Sequence, residues 1–484
     1  MSPADAWSFL ERVLRVFRAV DAPNHREFDP ACRVLDRLGR DDCDDLKMLV
    51  ISGEAALGAA QGALVGQAAN PDRPGRIECH ATPRVCSSSR GARLSVPGSV
   101  RKVADRGALL ALLLLLGRGG WSAPSVARAA DVFRFALPKP SGPYPVGRRS
   151  FYVLDSSRTD PQAVRPDGKR EFMLVVWYPA AARAGTGRAP WIPGPWADSA
   201  ATDLFLLTRR AIAPPTRAEV RETARVTASW AQDSPDVASD GVPFPVVVFS
   251  PGNLTMPNYY TTLAEELASW GFVVVGHVTT GYSRNVVLPD GRVFPRRPYR
   301  DLDPWTGDLR YVLGHLSVWN RDPRHPFHDR LDTLRIGLYG HSGGANAVEM
   351  LAADGRVKAV AAIDPGLTDT TWATSKPTLL LLAENKQFLA THAAEANDVS
   401  RERTAFLRRL PRGFAVTILG SEHMSFSDLS AIPAFRSEFE SPEQLAASGA
   451  VLLGFFQEAL RGVPWDLRRG ASNTNPIIRI DSPD

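Results

Sequence analysis

The sequence predicts an α/β domain in which a mostly parallel sheet carries helices on both faces. From residue 131 onward, short apolar runs alternate with stretches of helical periodicity. The runs are continuous Val, Leu and Ile segments without polar alternation, which is typical of strands buried on both faces. One of them passes directly through a glycine-rich turn into a helical stretch. These observations favour a doubly covered parallel sheet over a sandwich or a helical bundle.

Seven of these runs predict strands: 172–178, 245–250, 272–277, 335–339, 359–363, 377–383 and 415–419. Three stretches predict helices: 259–270, 344–353 and 443–461. Two long segments, 180–242 and 279–332, lack a strand pattern and are expected to be insertions. The first insertion holds Trp191, Trp196 and an apolar group at 204–207, which is expected either to cover the active site or a lipid surface, or to pack in the core.

The segment 98–130 resembles a secretory signal. Basic residues at 101, 102 and 106 precede an unbroken apolar run at 108–116, and residues 127–129 form a small-x-small cleavage site. Nine apolar residues are too few for a membrane span, which needs roughly 20. A buried Leu-rich helix is the alternative. The signal interpretation implies a secreted protein or one of the periplasm or cell envelope.

The position of this signal suggests three parts: an extension at 1–97, the signal-like segment at 98–130 and a catalytic α/β domain at 131–484. Residues 1–97 combine one amphipathic stretch with a tail rich in Pro, Arg and Ser, so we expect little structure there. Because signals act at the N-terminus, translation is expected to begin near Val96 or Val100. The alternative is that the extension is a genuine helical appendage.

Composition excludes several classes of function. The 484 residues are 44% hydrophobic and 23% charged, and the net charge is only +5. No cluster of basic and aromatic residues indicates nucleic-acid binding. The four cysteines, at 32, 43, 79 and 86, form no paired Cys-x-x-Cys pattern, so a zinc site is not expected. We expect no metal, no organic cofactor and no obligate protein partner.

A nucleophile is predicted at Ser342, in Gly340-His341-Ser342-Gly343-Gly344. This G-x-S-x-G pattern joins the predicted strand 335–339 to the predicted helix 344–353. The glycines permit a sharp turn that lifts the hydroxyl out of the sheet and lets the helix approach closely. The strand, turn and helix together predict the α/β-hydrolase fold.

A serine hydroxyl needs a histidine to accept its proton and an acid to orient that histidine. Of the nine histidines, His423 is the best candidate because it follows the last predicted strand, and in this fold the histidine comes last. His277, His315, His325 and His328 precede the serine and are expected at polar loop or surface positions. His392 is expected to lie in a further helical stretch beyond the three given above.

Two acids follow strands at the correct end of the sheet. Asp364 comes after 359–363 and Glu384 after 377–383, and sequence spacing leaves the choice between them open. The oxyanion hole needs two backbone N–H groups. We expect them from Gly343, which follows the nucleophile, and from Asn253 in the loop after strand 245–250. Pro251 in the same loop has no N–H.

Together these residues resemble the platelet-activating factor acetylhydrolase family of the plasma and intracellular type II kind. The resemblance extends from about Leu137 to the last helix. The segments that carry it are 142–147 (GPYPVG), 176–179 (VWYP), 249–252 (FSPG), the Ser342 turn, and the His423 loop with Phe426 and Asp428.

The resemblance implies that the acid is Asp364, about twenty residues after the serine, with Glu384 as runner-up. It also implies Asn253 as the second oxyanion donor. The implied substrate is a short-chain carboxylic ester, such as the sn-2 acyl group of a platelet-activating-factor-like phospholipid, with transient contact to a lipid surface.

The chain departs from the family at two positions. The family often has His where Pro251 stands, and a bulky apolar residue where Gly343 stands. The small residue leaves the acyl side of the pocket less defined. A broader esterase, lactonase or polyester hydrolase on the same triad is therefore the first alternative. A non-catalytic lipid-binding protein with this fold is the second.

Overall fold

The computed structural model describes residues 135–182, 187–200, 216–240, 243–283, 285–297, 301–365, 374–385, 408, 412–432, 442–465 and 477–481. All of these belong to one compact unit, Leu113–Asp484. Several predictions lie outside the described residues: the extension 1–97 with its cysteines, the signal-like segment 98–130, the apolar group 204–207 and His392.

The strands of the described chain are β1 Val146–Thr159, β2 Lys169–Pro179, β3 Arg188–Pro190, β4 Ala228–Asp233, β5 Phe244–Ser250, β6 Val273–Val278, β7 Asn285–Val287, β8 Val293–Pro295, β9 Leu331–His341, β10 Val357–Ile363, β11 Thr378–Ala383, β12 Gly413–Ile418 and β13 Ile478–Asp481. The helices are α1 Arg217–Val226, α2 Thr261–Ser269, α3 Asp303–Arg321, α4 Gly343–Glu349 and α5 Pro442–Arg461.

Eleven strands form one sheet in the order β13-β12-β11-β10-β9-β5-β6-β2-β1-β4-β3. The six from β12 to β6 run parallel to one another. β2 and β1 extend this block in antiparallel pairing on one side, and β13 does so on the other. The carboxyl ends of the parallel strands therefore meet at one edge, where α/β enzymes place their chemistry.

Alternate residues of β5 show how helices cover both faces. Val247 and Phe249 pack in the core that includes α2 and α5, whereas Val246 and Val248 pack in the core that includes α3 and α4. The predicted α/β-hydrolase fold, with a mostly parallel sheet between two helical layers, is thus confirmed.

All seven predicted strands and three predicted helices are present with shifted ends, but both insertions contain strands that the sequence did not indicate. The segment 180–242 holds β3 and β4, and 279–332 holds the β7–β8 pair and the 19-residue helix α3. β1 was also missed, because an outer antiparallel strand with one solvated face is rich in polar residues. Trp191 and Trp196 are buried in the core.

None of the described helices is both long enough and apolar enough to cross a bilayer.

A buried cluster of charges fastens α3 to the sheet. The Asp308 carboxylate accepts hydrogen bonds from Arg170 Nη2 at 2.6 Å, Arg158 Nη2 at 2.6 Å and His277 Nε2 at 3.0 Å. His277 is fully buried on β6, so its predicted loop or surface position is wrong. Burial alone would raise the pKa of Asp308, but Arg170 and His277 outweigh it and hold the pKa below its usual range.

We expect Asp308→Asn to lower the free energy of unfolding by about 3 to 5 kcal/mol, because it leaves buried Arg170 without its main counter-charge. Urea unfolding followed by circular dichroism measures the change. Asp167→Asn is the matched control, since Asp167 pairs with Arg165 at the solvent-exposed surface. Equal midpoints for the two variants would contradict the anchoring role.

Candidate active site

The turn at Ser342 is sharp and sterically constrained. Ser342 has φ 54° and ψ −126°, outside the common regions for a residue with a side chain, and immediately precedes α4. A Cβ atom at Gly344 would lie 2.2 Å from the carbonyl oxygen of Ser250, and one at Gly340 would lie 2.2 Å from the carbonyl oxygen of Gly344. Both positions therefore require glycine, because any larger side chain would overlap a neighbouring backbone carbonyl.

His423 and Asp364 meet directly. His423 begins a short 3-10 turn after β12, and its Nδ1 lies 2.6 Å from Asp364 Oδ2. The Asp364 side chain is 4% exposed and that of His423 is 44% exposed. A neutral His423 that donates Nδ1–H to Asp364 keeps its lone pair on Nε2, the atom that a general base uses.

Further contacts fix the Asp364 carboxylate. Its Oδ1 accepts the N–H of Ala383 at 3.2 Å, and the Asn385 side-chain amide lies 3.3 Å from Oδ2. The backbone N–H of Asp364 donates to Leu381 at 2.8 Å. Asp364 thus follows β10 but is held by the neighbouring strand β11 and the residues after it, as expected where parallel strands end side by side.

Glu384 occupies a different place from Asp364. Its Oε2 accepts the N–H of Gly420 at 2.7 Å, and its own N–H lies 3.3 Å from Ser421 Oγ. These contacts attach the end of β11 to the loop that leads into His423. Of the two acids that the sequence left open, Asp364 is the one that meets His423 Nδ1, whereas Glu384 supports the loop.

His341, the residue before Ser342, also lies in the candidate site. His341 is fully buried, its ring centroid lies 4.5 Å from that of His423, and the N–H of Ser342 donates to Ile363 directly before Asp364. The elbow, the acid and the histidine are thereby brought to the same edge of the sheet. The motif contained His341, but sequence reasoning gave it no role.

The loop after β5 lies beside the elbow. Residues 252–255 form a tight turn, in which the N–H of Thr255 donates to Gly252 at 3.2 Å and Leu254 has φ 67°. A Cβ atom at Gly343 would lie 3.7 Å from Asn253 Cβ. The two residues predicted to donate to an oxyanion are therefore neighbours in space.

The ring of Trp305 packs beside Gly343. It would lie 3.5 Å from a Cβ atom at Gly343, and its Nε1 donates to Ser250 Oγ at 2.7 Å. Trp305 belongs to α3, inside an insertion that showed no strand pattern, so sequence reasoning had no signal for its place in the site.

Backbone strain is concentrated here. Among the described residues, non-glycine positive φ angles occur at Ser234, Leu254, Asp329, Ser342, Asp364 and Asn385. Four of these six lie in the candidate site: Leu254, Ser342, Asp364 and Asn385. Such strain persists only where surrounding contacts over-determine the backbone, and it is typical of functional sites.

Asp428 anchors the loop that carries His423. Its Oδ2 accepts the N–H of Thr261 at 2.8 Å and Trp191 Nε1 at 2.9 Å, and its Oδ1 accepts the N–H of Thr262 at 3.0 Å. Burial raises the pKa of Asp428 to about 7 against the opposing effect of these hydrogen bonds.

Within the described part of the chain, no group of three His, Cys, Asp or Glu side chains is placed to hold a metal ion.

Comparison with known proteins shows which families and structures the chain is similar to. Residues 131–279 match the family model described as platelet-activating factor acetylhydrolase, isoform II; the match includes the Asn253 loop and ends before Ser342. A probable 1-alkyl-2-acetylglycerophosphocholine esterase of Arthroderma benhamiae (strain ATCC MYA-4681 / CBS 112371) is 28% identical over 258 residues. That alignment covers 48% of this chain and 59% of the relative, so the chain spans less than two thirds of the relative's length.

Among solved structures, a ferulic acid esterase from Streptomyces cinnamoneus is similar, with a TM-score of 0.56 and 26% sequence identity. The similarity covers 72% of this chain and 99% of that one. It thus extends well beyond the segment matched by the family model. Residues 131–279 are thus similar to the platelet-activating factor acetylhydrolase isoform II family, and the fold is shared with an esterase over most of the chain.

Proposed function

We propose that the chain is a serine carboxylic ester hydrolase acting through Ser342, His423 and Asp364. The observation that carries this proposal is the 2.6 Å contact between His423 Nδ1 and Asp364 Oδ2 beside the strained Ser342 turn. The names of the similar proteins, both esterases, support the reaction class.

In the proposed reaction, Ser342 Oγ attacks the ester carbonyl carbon while His423 Nε2 accepts the hydroxyl proton. The N–H groups of Gly343 and Asn253 stabilise the negative charge that develops on the carbonyl oxygen. His423 then gives the proton to the departing alcohol, which leaves an acyl-enzyme. A water molecule, deprotonated by His423, releases the acid and restores Ser342.

We propose short-chain esters as substrates, and in particular the sn-2 acyl group of platelet-activating-factor-like phospholipids, reached by transient contact with a lipid surface. The family model that residues 131–279 match and the name of the Arthroderma relative support this choice. The signal-like segment supports a secreted protein, or one of the periplasm or cell envelope, as the setting.

A broader esterase is the second candidate, and two observations favour it. At Gly343 no side chain fills the space between Trp305 and Asn253. The similar ferulic acid esterase bears a name that indicates a bulkier, aromatic acid. The same proposed triad serves both candidates, which differ in the range of esters that the site accepts.

We expect Ser342→Ala to lower hydrolysis of p-nitrophenyl acetate by more than about 10⁴-fold, because the nucleophile is lost. The unfolding midpoint of the variant should match that of the native chain. A fluorophosphonate probe should label the native protein and not the variant. Failure to label the native protein would favour the non-catalytic lipid-binding alternative, and normal turnover by the variant would remove Ser342 from the mechanism.

The two acids are separated by Asp364→Asn and Glu384→Gln. The first should lower kcat about 10³- to 10⁴-fold, because an amide stabilises neither the required tautomer nor the charged form of His423. The second should keep kcat within about threefold, because an amide oxygen still accepts the Gly420 N–H. Collapse of turnover in Glu384→Gln alone would reverse the assignment.

The substrate proposal is tested with an sn-2 acyl-length series of phospholipids beside a feruloyl ester. We expect kcat/KM to be highest for acetyl and to fall by roughly tenfold or more as the chain lengthens past butyryl. Ser342→Ala is the control for background hydrolysis. A higher kcat/KM for the feruloyl ester would establish the broader esterase instead.

A further inference from the structure

The imidazole of His341 lies between two loops of the site. On one side its Nε2 is 2.9 Å from the backbone carbonyl oxygen of His423. On the other its Nδ1 is 2.7 Å from the hydroxyl of Tyr260. Both His341 and Tyr260 are fully buried. The ring therefore bridges the loop of the proposed base and the segment that follows the Asn253 loop.

These contacts define the hydrogen positions on the ring. A carbonyl oxygen only accepts hydrogen bonds, so Nε2 must carry the hydrogen that points at His423. In a neutral imidazole Nδ1 is then an acceptor, and the Tyr260 hydroxyl must donate to it. Burial is the largest cause that lowers the pKa of His341, to about 3, and nearby His423 lowers it further. Asp364 has the opposite effect. His341 is accordingly neutral near pH 7.

Tyr260 in turn contacts the oxyanion loop. The N–H of Gly252 points at the Tyr260 hydroxyl at the long distance of 3.4 Å, and Thr255 Oγ1 donates its own hydrogen to the Gly252 carbonyl at 2.7 Å. A Cβ atom at Gly252 would lie 3.3 Å from His341 Nδ1, 3.3 Å from the Tyr260 hydroxyl and 3.4 Å from Ser342 Cβ. The loop therefore rests directly on this pair.

We propose that Tyr260 and His341 are positioning residues: the Tyr260 hydroxyl fixes the Nε2–H form of His341, which holds the His423 backbone in register with the oxyanion loop. This inference rests on the proposed roles of His423 and Asn253. Neither positioning residue touches the ester. They act by keeping the base and the oxyanion donors at a constant separation.

Removing the Tyr260 hydroxyl has a definite physical consequence. Without that donor, buried Nδ1 loses its hydrogen-bond partner, and only the His423 carbonyl oxygen still favours the Nε2–H form. In the molecules whose hydrogen moves to Nδ1, the lone pair of Nε2 faces the lone pairs of that carbonyl oxygen at 2.9 Å. Repulsion displaces the His423 loop, and small displacements of a catalytic group are costly in rate.

The kinetic experiment compares Tyr260→Phe with Tyr339→Phe. Tyr339 is equally buried, lies two residues before His341 on β9, and its hydroxyl has no hydrogen-bond partner among the described residues. We expect Tyr260→Phe to lower kcat for p-nitrophenyl acetate about tenfold with KM within about twofold. Tyr339→Phe should leave both constants unchanged. A kcat for Tyr260→Phe within about twofold of the native value would overturn the proposal.

A second measurement uses the resting protein and needs no ester. In ¹⁵N spectra of histidine-labelled enzyme, the His341 imidazole is assigned as the signal that disappears in His341→Gln, which separates it from buried His277. We expect this signal to show the neutral Nε2–H form with no titration between about pH 5 and 8. Tyr260→Phe should shift this signal toward the Nδ1–H form, and Tyr339→Phe should not. Titration in that range, or an Nδ1–H form in the native protein, would refute the proposed role of the Tyr260–His341 contact.

The two arms distinguish this inference from the proposed function. If Ser342→Ala remains active, the proposed mechanism fails, whereas the ¹⁵N spectra still report on the Tyr260–His341 contact. If Ser342→Ala is inactive but Tyr260→Phe turns over normally, the mechanism stands and the positioning role fails. Adding Tyr260→Phe to the His341→Gln variant should lower kcat little further, because both changes break the same contact between Tyr260 and His341.

Discussion

The approach of α4 to the ends of β5 and β9 is the constraint on which the rest of the site depends. Backbone atoms of Gly344 and Ser250 come so close that any Cβ at residue 344 would overlap the Ser250 carbonyl. That proximity fixes the turn at Ser342 and sets the β5 loop beside it. Backbone contact therefore sets the position of Ser342 relative to the β5 loop that carries the proposed oxyanion donor Asn253.

Apolar periodicity was sufficient to predict the parallel core of the sheet, because strands buried on both faces require continuous Val, Leu and Ile runs. The same criterion failed where burial is one-sided. β1 carries polar residues on its solvated face, and β3, β4, β7 and β8 are too short or too mixed to show a period. α3 was not predicted, because it lies inside the segment 279–332, which was expected to be an insertion.

The candidate site was predictable to the extent that it follows chain order. Ser342, His423 and the two acids stand at strand ends, where the fold places functional groups. Spacing could not separate Asp364 from Glu384, because both follow parallel strands and the difference lies in which side chain turns toward His423. Contacts made across the sheet, such as those of Tyr260 and Trp305, leave no trace in local sequence.

The support beneath His423 is attached to the backbone. Glu384 binds the N–H of Gly420, His341 binds the carbonyl oxygen of residue 423, and Asp428 joins the following turn to the start of α2. None of these three contacts involves the imidazole of His423. Replacing that side chain would remove the proposed base and leave the surrounding backbone contacts in place, which makes position 423 a suitable site for a variant that captures an intact ester in a crystal.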